Sequence, residues 1–286
     1  MTEGIWTEEN RESWNEATRQ HNSHKGDQAG FLRGGGSTLF QEEVELLGDI
    51  RGENLLHLQC NAGQDTLSVA TKLGARVTGV DISDEAIGFA KSLSLESGIP
   101  GRFIRSEVIG WLHENTQLFD IVFTSYGAIT WLPDLSNWGM GVAAALKPGG
   151  RFVMVEFHPM LFILDGALFG DWSEVCDYFG GRHYVFDQGV GDYVAEMGGA
   201  STASGVPVEA SAPYINPNPC HEFSWGVADV VTALLEAGLN LTVMREYPYS
   251  NGYSPYPNMI ELPGRRMTFG NDMPKFPLMY GICAQK

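Results

Sequence analysis

The stretch "LLHLQCNAGQDTLSVA", residues 55–70, decides the fold. Its first four residues form an apolar run as long as a short buried strand, and a tight turn with Gly63 leads into a helix that ends at Gly74. A strand, a tight turn and a helix in this order are typical of sheets that bind nucleotides. Phosphate-binding turns contain several glycines, whereas this turn contains one. The stretch therefore raises the question of which ligand it could hold.

Size and charge limit the classes of function. The chain has 286 residues, enough for one large domain with a full core. Its formal net charge is −17 and its isoelectric point about 4.7, so a phosphate backbone would be repelled and we expect no nucleic acid partner. Cys60, Cys176, Cys220 and Cys283 lack the paired spacing of zinc or redox sites. We interpret them as reduced thiols in a cytoplasmic protein.

No segment has the pattern of a targeting or membrane sequence. The polar, acidic N-terminus lacks the basic start and the apolar run of a signal peptide. The most apolar window, residues 151–170, contains Glu156, His158 and Asp165, so we expect no membrane partner.

Strand and helix patterns alternate from Asn54 to His158, which predicts an α/β fold with a doubly wound, mostly parallel sheet. Two irregular insertions follow, at about 159–222 and 247–277, separated by a helix and a strand, and "LMYGICAQK" ends the chain as a strand. We interpret residues 1–286 as a single domain. A separate cap at 160–220 is disfavoured because that stretch is too short for its own core.

Two residues fit a ligand site at the carboxyl ends of the strands. Gly63 lets the backbone approach a ligand closely, and Asp81 ends the second strand, where its carboxylate can accept hydrogen bonds from both hydroxyls of a ribose. The turn before the first helix carries an acid, Asp65, and only one glycine, which argues against a pyrophosphate. A cofactor with a ribose and no phosphate fits better.

Several motifs in order resemble the class I S-adenosylmethionine-dependent methyltransferases. They are "LLHLQCNAG", "GVDIS", "FIRSEV", "FDIVFTSYGAITWL" and "LKPGGRFVMVEFHP", followed by a closing antiparallel pair. The resemblance covers most of the chain and implies a Rossmann-like, seven-stranded sheet with an antiparallel final strand, and S-adenosyl-L-methionine as cofactor. The implied cofactor-binding residues are Gln59, Asn61, Gly63, Asp81, Ile82, Glu107, Val108 and Ser125.

The resemblance assigns a part of the cofactor to several of these residues. Asp81 would hold the ribose, Ile82 would lie against the adenine ring, and Glu107 would face the adenine amino group. Other roles stay open: Asp81 could cap the next helix, Glu107 could be a solvated acid, and Ile82 could be plain core. Gly63 could be only a turn glycine.

The first motif departs from the family pattern. His57 stands in place of the usual acid, and Gln59 and Asn61 replace two glycines. Their side-chain amides could bond the amino-acid end of the cofactor. A subgroup with an "LLHLQC" opening and "EFHP" after the fifth strand is similar.

The N-terminal segment, residues 1–36, with Trp14, Phe31 and the glycines Gly34 to Gly36, resembles the family's lid over the cofactor. A surface arm is the alternative interpretation. His21 and His24 lack a third ligand nearby, so we expect no metal site.

Methyl transfer requires an aligned nucleophile and exclusion of water, and a hydroxyl or protonated amine acceptor also needs a base. His158 follows the fifth strand, on the side expected for the acceptor, and its ordinary pKa suits a base. Tyr126 follows the fourth strand and points to the same region. We therefore name His158 and Tyr126 as catalytic candidates, with packing as the alternative role for His158. His183 and His221 rank lower.

Aromatic residues are dense in the two insertions and predict an apolar roof over the acceptor. They are Phe162, Phe169, Trp172, Tyr178, Phe179, Tyr184, Phe186, Tyr214, Trp225, Tyr249, Tyr253 and Tyr256. The expected partner is a small, apolar or aromatic methyl acceptor, and a homodimer is compatible with the sequence. Two other functions stay open: a nicotinamide-dependent oxidoreductase, and a protein that binds S-adenosylmethionine without turnover.

Overall fold

The computed structural model describes residues 2–170, 175–196 and 214–286. In chain order its strands are β1 (Asn54–Leu58), β2 (Arg76–Asp81), β3 (Gly101–Arg105), β4 (Phe119–Ser125), β5 (Leu146–Phe157), β6 (Arg182–Phe186), β7 (Cys220–Ser224), β8 (Asn240–Tyr247), β9 (Ser250–Asn251), β10 (Met259–Leu262), β11 (Arg266–Phe269) and β12 (Met279–Gln285). Its helices are α1 (Thr2–Ser23), α2 (Gln28–Arg33), α3 (Gln41–Leu47), α4 (Gln64–Leu73), α5 (Asp84–Ser97), α6 (Val108–Glu114), α7 (Leu135–Ala145), α8 (Met160–Phe169), α9 (Tyr193–Glu196) and α10 (Val227–Glu236), with a 3₁₀ turn at Ile129–Trp131.

The main sheet has seven strands in the order β3-β2-β1-β4-β5-β12-β8. The first five are parallel, and β12 runs antiparallel to both β5 and β8. This order confirms the predicted doubly wound, mostly parallel sheet with an antiparallel final strand. The order reverses between β1 and β4, which places a ligand crevice at their carboxyl ends.

Both faces of the sheet are buried because successive side chains of a strand point to opposite faces. Leu56 and Leu58 of β1 pack with Trp138 in the cluster that includes α6, α7 and α10. Leu55 of the same strand packs with Leu47 of α3 in the cluster on the other face. The apolar run of β1 therefore has the pattern of a central parallel strand.

The predicted helix boundaries next to β1 and β2 are confirmed. The Ser83 hydroxyl accepts a hydrogen bond from the Ala86 N–H at 3.0 Å and so caps α5. Gly74 and Gly98 end α4 and α5 in the left-handed conformation.

Three parts of the chain are more regular than the sequence predicts. The N-terminal segment contains the 22-residue helix α1, and the first insertion contains α8, α9 and the antiparallel strand pair β6–β7. The second insertion contains a small antiparallel sheet in the order β10-β11-β9. Short strands paired across Gly- and Pro-rich turns leave too brief a pattern to be read from sequence.

Helix α7 ends before the Pro148–Gly149 pair. It stops at Ala145, and the "LKPGG" residues already belong to β5, where the pairing with β4 shifts between Phe119 and Ile121. The Pro and Gly pair therefore forms a strand irregularity and does not close the helix. Within the described ranges, the structure contains no helix with the length and apolar character needed to cross a membrane.

Candidate active site

A cavity of about 830 Å³ lies at the carboxyl ends of β1, β2, β3 and β4. The size lies within the range of about 300–1,000 Å³ that is usual for small-molecule and cofactor sites. The predicted residues that line it are Gln59, Asn61, Asp81, Ile82, Glu107, Val108, Ser125 and Tyr126. Gly63 and His158 do not line it. The structure therefore brings together most of the residues that the sequence predicts.

Asp81 is held in a fixed orientation at the end of β2. Its Oδ2 accepts a hydrogen bond from the Asn61 N–H at 2.7 Å, and its Oδ1 accepts one from the Ser83 N–H at 2.9 Å. Each carboxylate oxygen can accept more than one hydrogen bond, so both keep capacity for a ligand hydroxyl. Burial raises the pKa of Asp81 to about 6, against the effect of the backbone donors. A pair of ribose hydroxyls would therefore find an oriented acceptor here.

Glu107 lines the cavity and also caps a helix. Its Oε1 and Oε2 accept hydrogen bonds from the Ile109 and Gly110 N–H groups at 2.7 and 2.6 Å, so it caps α6. Val108 follows it directly, and Ile82 follows Asp81. Both apolar residues line the same cavity as the two acids, so the lining offers apolar surface together with polar groups.

Gln59 and Asn61 adopt the backbone conformation of the glycines that they replace. Their φ angles are +52° and +46°, in the left-handed region that favours glycine. Gln59 donates through Nε2 to the Ala128 carbonyl at 2.8 Å, and its Oε1 is buried without a partner among the described residues. A buried acceptor of this kind is costly unless a ligand donor satisfies it. The backbone strain was not predicted and is typical of ligand sites.

Gly63 permits close packing. Its φ is +78°, and a Cβ atom there would lie 2.7 Å from the Ala90 Cβ and 2.9 Å from the Phe103 ring. Gly63 therefore allows the close approach of α4, α5 and β3, and its predicted contact with a ligand stays a prediction.

Replacing Gly63 with alanine should destabilise the fold more than the same change at another left-handed glycine. Gly98 is the matched control, because its φ is +71° and nothing lies within 4 Å of the added Cβ. We expect Gly98→Ala to cost about 1–2 kcal/mol from the backbone alone. Gly63→Ala should cost about 1–3 kcal/mol more from overpacking. Urea unfolding measures both variants, and equal losses would contradict the packing role.

His57 is a neutral bridge beneath the site. Its Nδ1 lies 2.8 Å from the Thr66 hydroxyl, and its Nε2 lies 3.5 Å from the Ser125 hydroxyl. Burial lowers the pKa of His57 to about 3, so the imidazole is uncharged at neutral pH. The residue that replaces the family's acid therefore connects β1, β4 and α4 by uncharged contacts.

Tyr126 lines the cavity with a φ of +37°. Its hydroxyl accepts a hydrogen bond from Asn251 Nδ2 at 2.9 Å and lies beside the Glu43 carboxyl. Burial and the Glu43 charge raise the pKa of Tyr126 well above its usual value. The phenol keeps its proton at neutral pH, which favours an orienting role over that of a base.

Glu156 was not singled out by the sequence, yet it organises the loop after β4. It is 3% exposed, and its carboxylate accepts hydrogen bonds from Gly127, from Ala128 at 2.8 Å and from Ile129 at 3.2 Å. It also accepts the Phe157 N–H at 2.7 Å. An acid inside the apolar run "RFVMVEF" was the available signal, because an acid rarely lies in a core unless it is bonded.

His158 is 3% exposed and does not line the cavity. Its Nδ1 accepts the Met160 N–H at 3.1 Å, and its Nε2 lies 3.3 Å from Glu246 Oε1. Burial lowers its pKa, while Glu246 opposes the shift. Both ring nitrogens are engaged within the protein, so the geometry favours the packing role that the sequence left open.

Helix α1 connects the two sides of the cavity. The Asn15 Oδ1 accepts hydrogen bonds from the Ser83 hydroxyl at 2.8 Å and the Glu85 N–H at 3.2 Å, next to Asp81. One turn and a half earlier, the Asn10 side chain bonds both the N–H and the carbonyl of His221, at 2.7 and 2.9 Å. Trp14 lies between Asn10 and Asn15 in the sequence and lines the cavity. Phe31 of α2 also lines the cavity.

The roof includes some of the predicted aromatic residues. Phe162, Phe186 and Tyr253 line the cavity, and Trp6, Trp131, Phe157 and Tyr193 join them. Trp172 and the side chain of Phe169 lie outside the described residues. The remaining predicted aromatic residues do not line the cavity: Tyr178, Phe179, Tyr184, Tyr214, Trp225, Tyr249 and Tyr256. Tyr256 packs in the core of the second insertion, whereas Phe179 is exposed.

The cationic side chains in the described lining are Lys25 and Arg265. Burial lowers the pKa of Lys25 to about 8, and Asp65 opposes this shift. Arg265 lies over the Phe40 ring at 4.3 Å. A ligand carboxylate would therefore find a positive charge on the same wall as Asp65 at the start of α4.

Comparisons with known proteins agree with this geometry. A family model described as "Methyltransferase domain" matches residues 55–150. A ubiquinone biosynthesis O-methyltransferase of Proteus mirabilis is 35% identical over 100 residues, which cover 35% of this chain and 40% of that protein. The match thus spans less than half of the length of this relative.

The fold has counterparts among solved structures. An S-adenosylmethionine-dependent methyltransferase from Clostridium acetobutylicum superposes with a TM-score of 0.53 at 12% identity, covering 87% of this chain and 92% of that one. A SAM-dependent methyltransferase from Methanosarcina mazei gives a TM-score of 0.51 at 18% identity, covering 87% of this chain and 98% of that one. At these identities the likeness concerns the fold.

Proposed function

Because residues 55–150 belong to the methyltransferase domain family, whose cofactor is S-adenosyl-L-methionine, we propose that the protein transfers a methyl group from this cofactor to a small aromatic or apolar acceptor. The whole chain then acts as one domain, in which residues 1–36 form a lid and the two insertions roof the acceptor. The observation that carries the proposal is the Asp81 carboxylate, held by two backbone N–H groups at the edge of a large cavity.

The residues in the cavity fit this cofactor. Asp81 would hold the ribose, with Ile82 and Val108 flanking the adenine and Glu107 at its edge. The unpartnered Gln59 Oε1 would accept from the cofactor ammonium, and Lys25 would pair with its carboxylate. The cofactor supplies an activated methyl group, so the protein contributes alignment and exclusion of water.

The nicotinamide-dependent alternative is less well supported. A dinucleotide needs backbone N–H groups at a helix start for its pyrophosphate, and a nearby acid opposes that charge. Here Asp65 stands in the first turn of α4 as a buried acid, and the Thr38 hydroxyl donates to it. Binding without turnover is disfavoured by the aromatic space beyond the cofactor residues.

A screen with a labelled methyl group tests the proposal. We expect purified protein to label small molecules in a metabolite pool and to leave DNA and RNA unlabelled, because its net charge of −17 repels polyanions. Basic proteins should also stay unlabelled, because a cavity of about 830 Å³ has the size of a small-molecule site. S-adenosylmethionine should raise the melting temperature, and NAD should not. Preferential labelling of RNA, or stabilisation by NAD alone, would contradict the proposal.

A further inference from the structure

Glu222 of β7 is an acid in the cavity lining that the cofactor assignment leaves unused. Within the described ranges its hydrogen-bond donor is the Thr130 hydroxyl, 3.2 Å from Oε2. An ionised carboxylate offers about four acceptor positions. Glu222 therefore keeps most of its hydrogen-bonding capacity for a ligand.

The surroundings of Glu222 are apolar and aromatic. Trp14, Trp131 and Phe186 pack around Cys220, which precedes Glu222 by two residues and so shares its face of β7. The Trp14 and Trp131 rings meet edge-on with centroids 5.2 Å apart. A flat aromatic body fits such walls, and a buried carboxylate among them is costly unless a donor reaches it.

Glu222 contacts the turn that follows β4. Thr130, its hydrogen-bond donor, belongs to the 3₁₀ turn that follows β4, five residues after Ser125 and four after Tyr126. Ser125 and Tyr126 form the part of the lining that the family resemblance assigns to the methionine end of the cofactor. The space between these residues and Glu222 is therefore the acceptor side of the cavity.

The ionisable groups around Glu222 would not prevent its carboxylate from gaining or losing a proton. Tyr184 of β6 lies opposite Glu222 in the strand pair. Cys176 and Cys220 are thiols, and the Glu222 charge helps to raise the pKa of both. His183 of β6 and His221 of β7 lie near Glu222 in the β6–β7 strand pair, and Glu9 of α1 contacts His221. Burial raises the pKa of Glu222 above its ordinary value, while Thr130 opposes the shift.

We propose that Glu222 binds the hydroxyl of an aromatic acceptor and takes its proton during methyl transfer, an inference that rests on the proposed function. Glu222 receives the proton that the hydroxyl loses as its oxygen bonds the methyl carbon. The electron pair of the broken carbon–sulfur bond stays on sulfur, and the carboxyl returns the proton to water. A neutral hydroxyl suits the apolar walls better than an ammonium, which would lose its hydration.

Binding of small probes tests the contact. p-Cresol, its methyl ether 4-methylanisole and 4-methylbenzylamine are titrated by calorimetry into the S-adenosylhomocysteine complex. We expect wild type to prefer p-cresol to the ether by about tenfold, because only p-cresol donates to the carboxylate. Glu222→Gln should reduce this ratio to within threefold, and Glu236→Gln on the exposed face of α10 should keep it.

The outcomes separate the two proposals. A wild type that fails to bind S-adenosylhomocysteine contradicts the proposed function. A wild type that binds it but shows no p-cresol preference, binds no probe, or prefers the amine contradicts the assignment of Glu222 alone. An unchanged ratio in Glu222→Gln does the same.

Transfer of a labelled methyl group to p-cresol tests the proton step. Glu222→Gln should lower kcat by about 10²-fold or more, with cofactor affinity unchanged. At saturating cofactor the wild-type kcat should fall as pH falls, because a protonated Glu222 cannot accept, and the kcat of the variant should lose this dependence. A wild type that binds p-cresol without methylating it, or a variant with the wild-type rate and pH profile, overturns the proton-transfer role.

Discussion

Glu156→Ala should cost about 4 kcal/mol or more of unfolding free energy, because each buried donor that loses its partner costs about 1–3 kcal/mol. The change leaves four backbone N–H groups, those of Gly127, Ala128, Ile129 and Phe157, without their acceptor. Domains of this kind have about 5–15 kcal/mol in total, so the variant should be severely destabilised. Urea unfolding gives the loss.

Glu156→Gln keeps the prediction testable if the alanine variant does not fold. The amide keeps one oxygen and turns an N–H₂ group toward backbone donors, so it should lose about 2 kcal/mol. Glu261→Ala is the strand control, since Glu261 is exposed on β10, and it should stay within about 0.5 kcal/mol of wild type. If both Glu156 variants matched this control, the loop after β4 would not depend on the carboxylate.

Asp81→Ala should weaken S-adenosylmethionine binding by about 1.5–3 kcal/mol, the usual loss for hydrogen bonds to a charged acceptor. That range corresponds to a factor of about 10–150 in Kd. Asp49→Ala, an exposed acid at the end of α3, should bind as wild type does. Calorimetry that finds wild-type affinity in Asp81→Ala would remove the ribose assignment.

Cofactor affinity should also depend on pH through Asp81. Its pKa in the free protein is about 6, and hydroxyl donors bind the ionised form. Affinity should therefore be constant above pH 6 and fall by up to about tenfold per pH unit below it, because binding must first remove a proton. Asp81→Asn should show a weak affinity without this slope. A wild-type profile that stays flat from pH 7 to 5 would show that the Asp81 charge is not used.

The sheet could be predicted because its strands carry long, regular apolar patterns. The position of Asp81 followed from the same rule, since the end of a central parallel strand faces the crevice. The direction of His158 could not follow, because the alternation of side chains stops where β5 ends at Phe157.

Other parts of the site depend on contacts between distant segments. Glu222 belongs to the strand pair β6–β7 and lines the cavity, nearly a hundred residues beyond β4 in the sequence. A single sequence does not reveal such a contact. The role of Gly63 depends on the neighbours that a Cβ would meet, Ala90 and Phe103. The left-handed backbone conformation of Gln59 could not be predicted, because glutamine rarely adopts a positive φ angle.

The middle of helix α1 is bonded through Asn15 to Ser83, near Asp81, and through Asn10 to His221, which precedes Glu222. A ligand that stabilises the bound position of α1 at one of these contacts therefore also stabilises it at the other contact. Linkage makes this exchange reciprocal: the factor by which the first ligand tightens the second equals the factor by which the second tightens the first. In the proposed reaction, cofactor and acceptor would thus be coupled through one helix, and Asn10 and Asn15 are the positions at which substitution should remove that coupling.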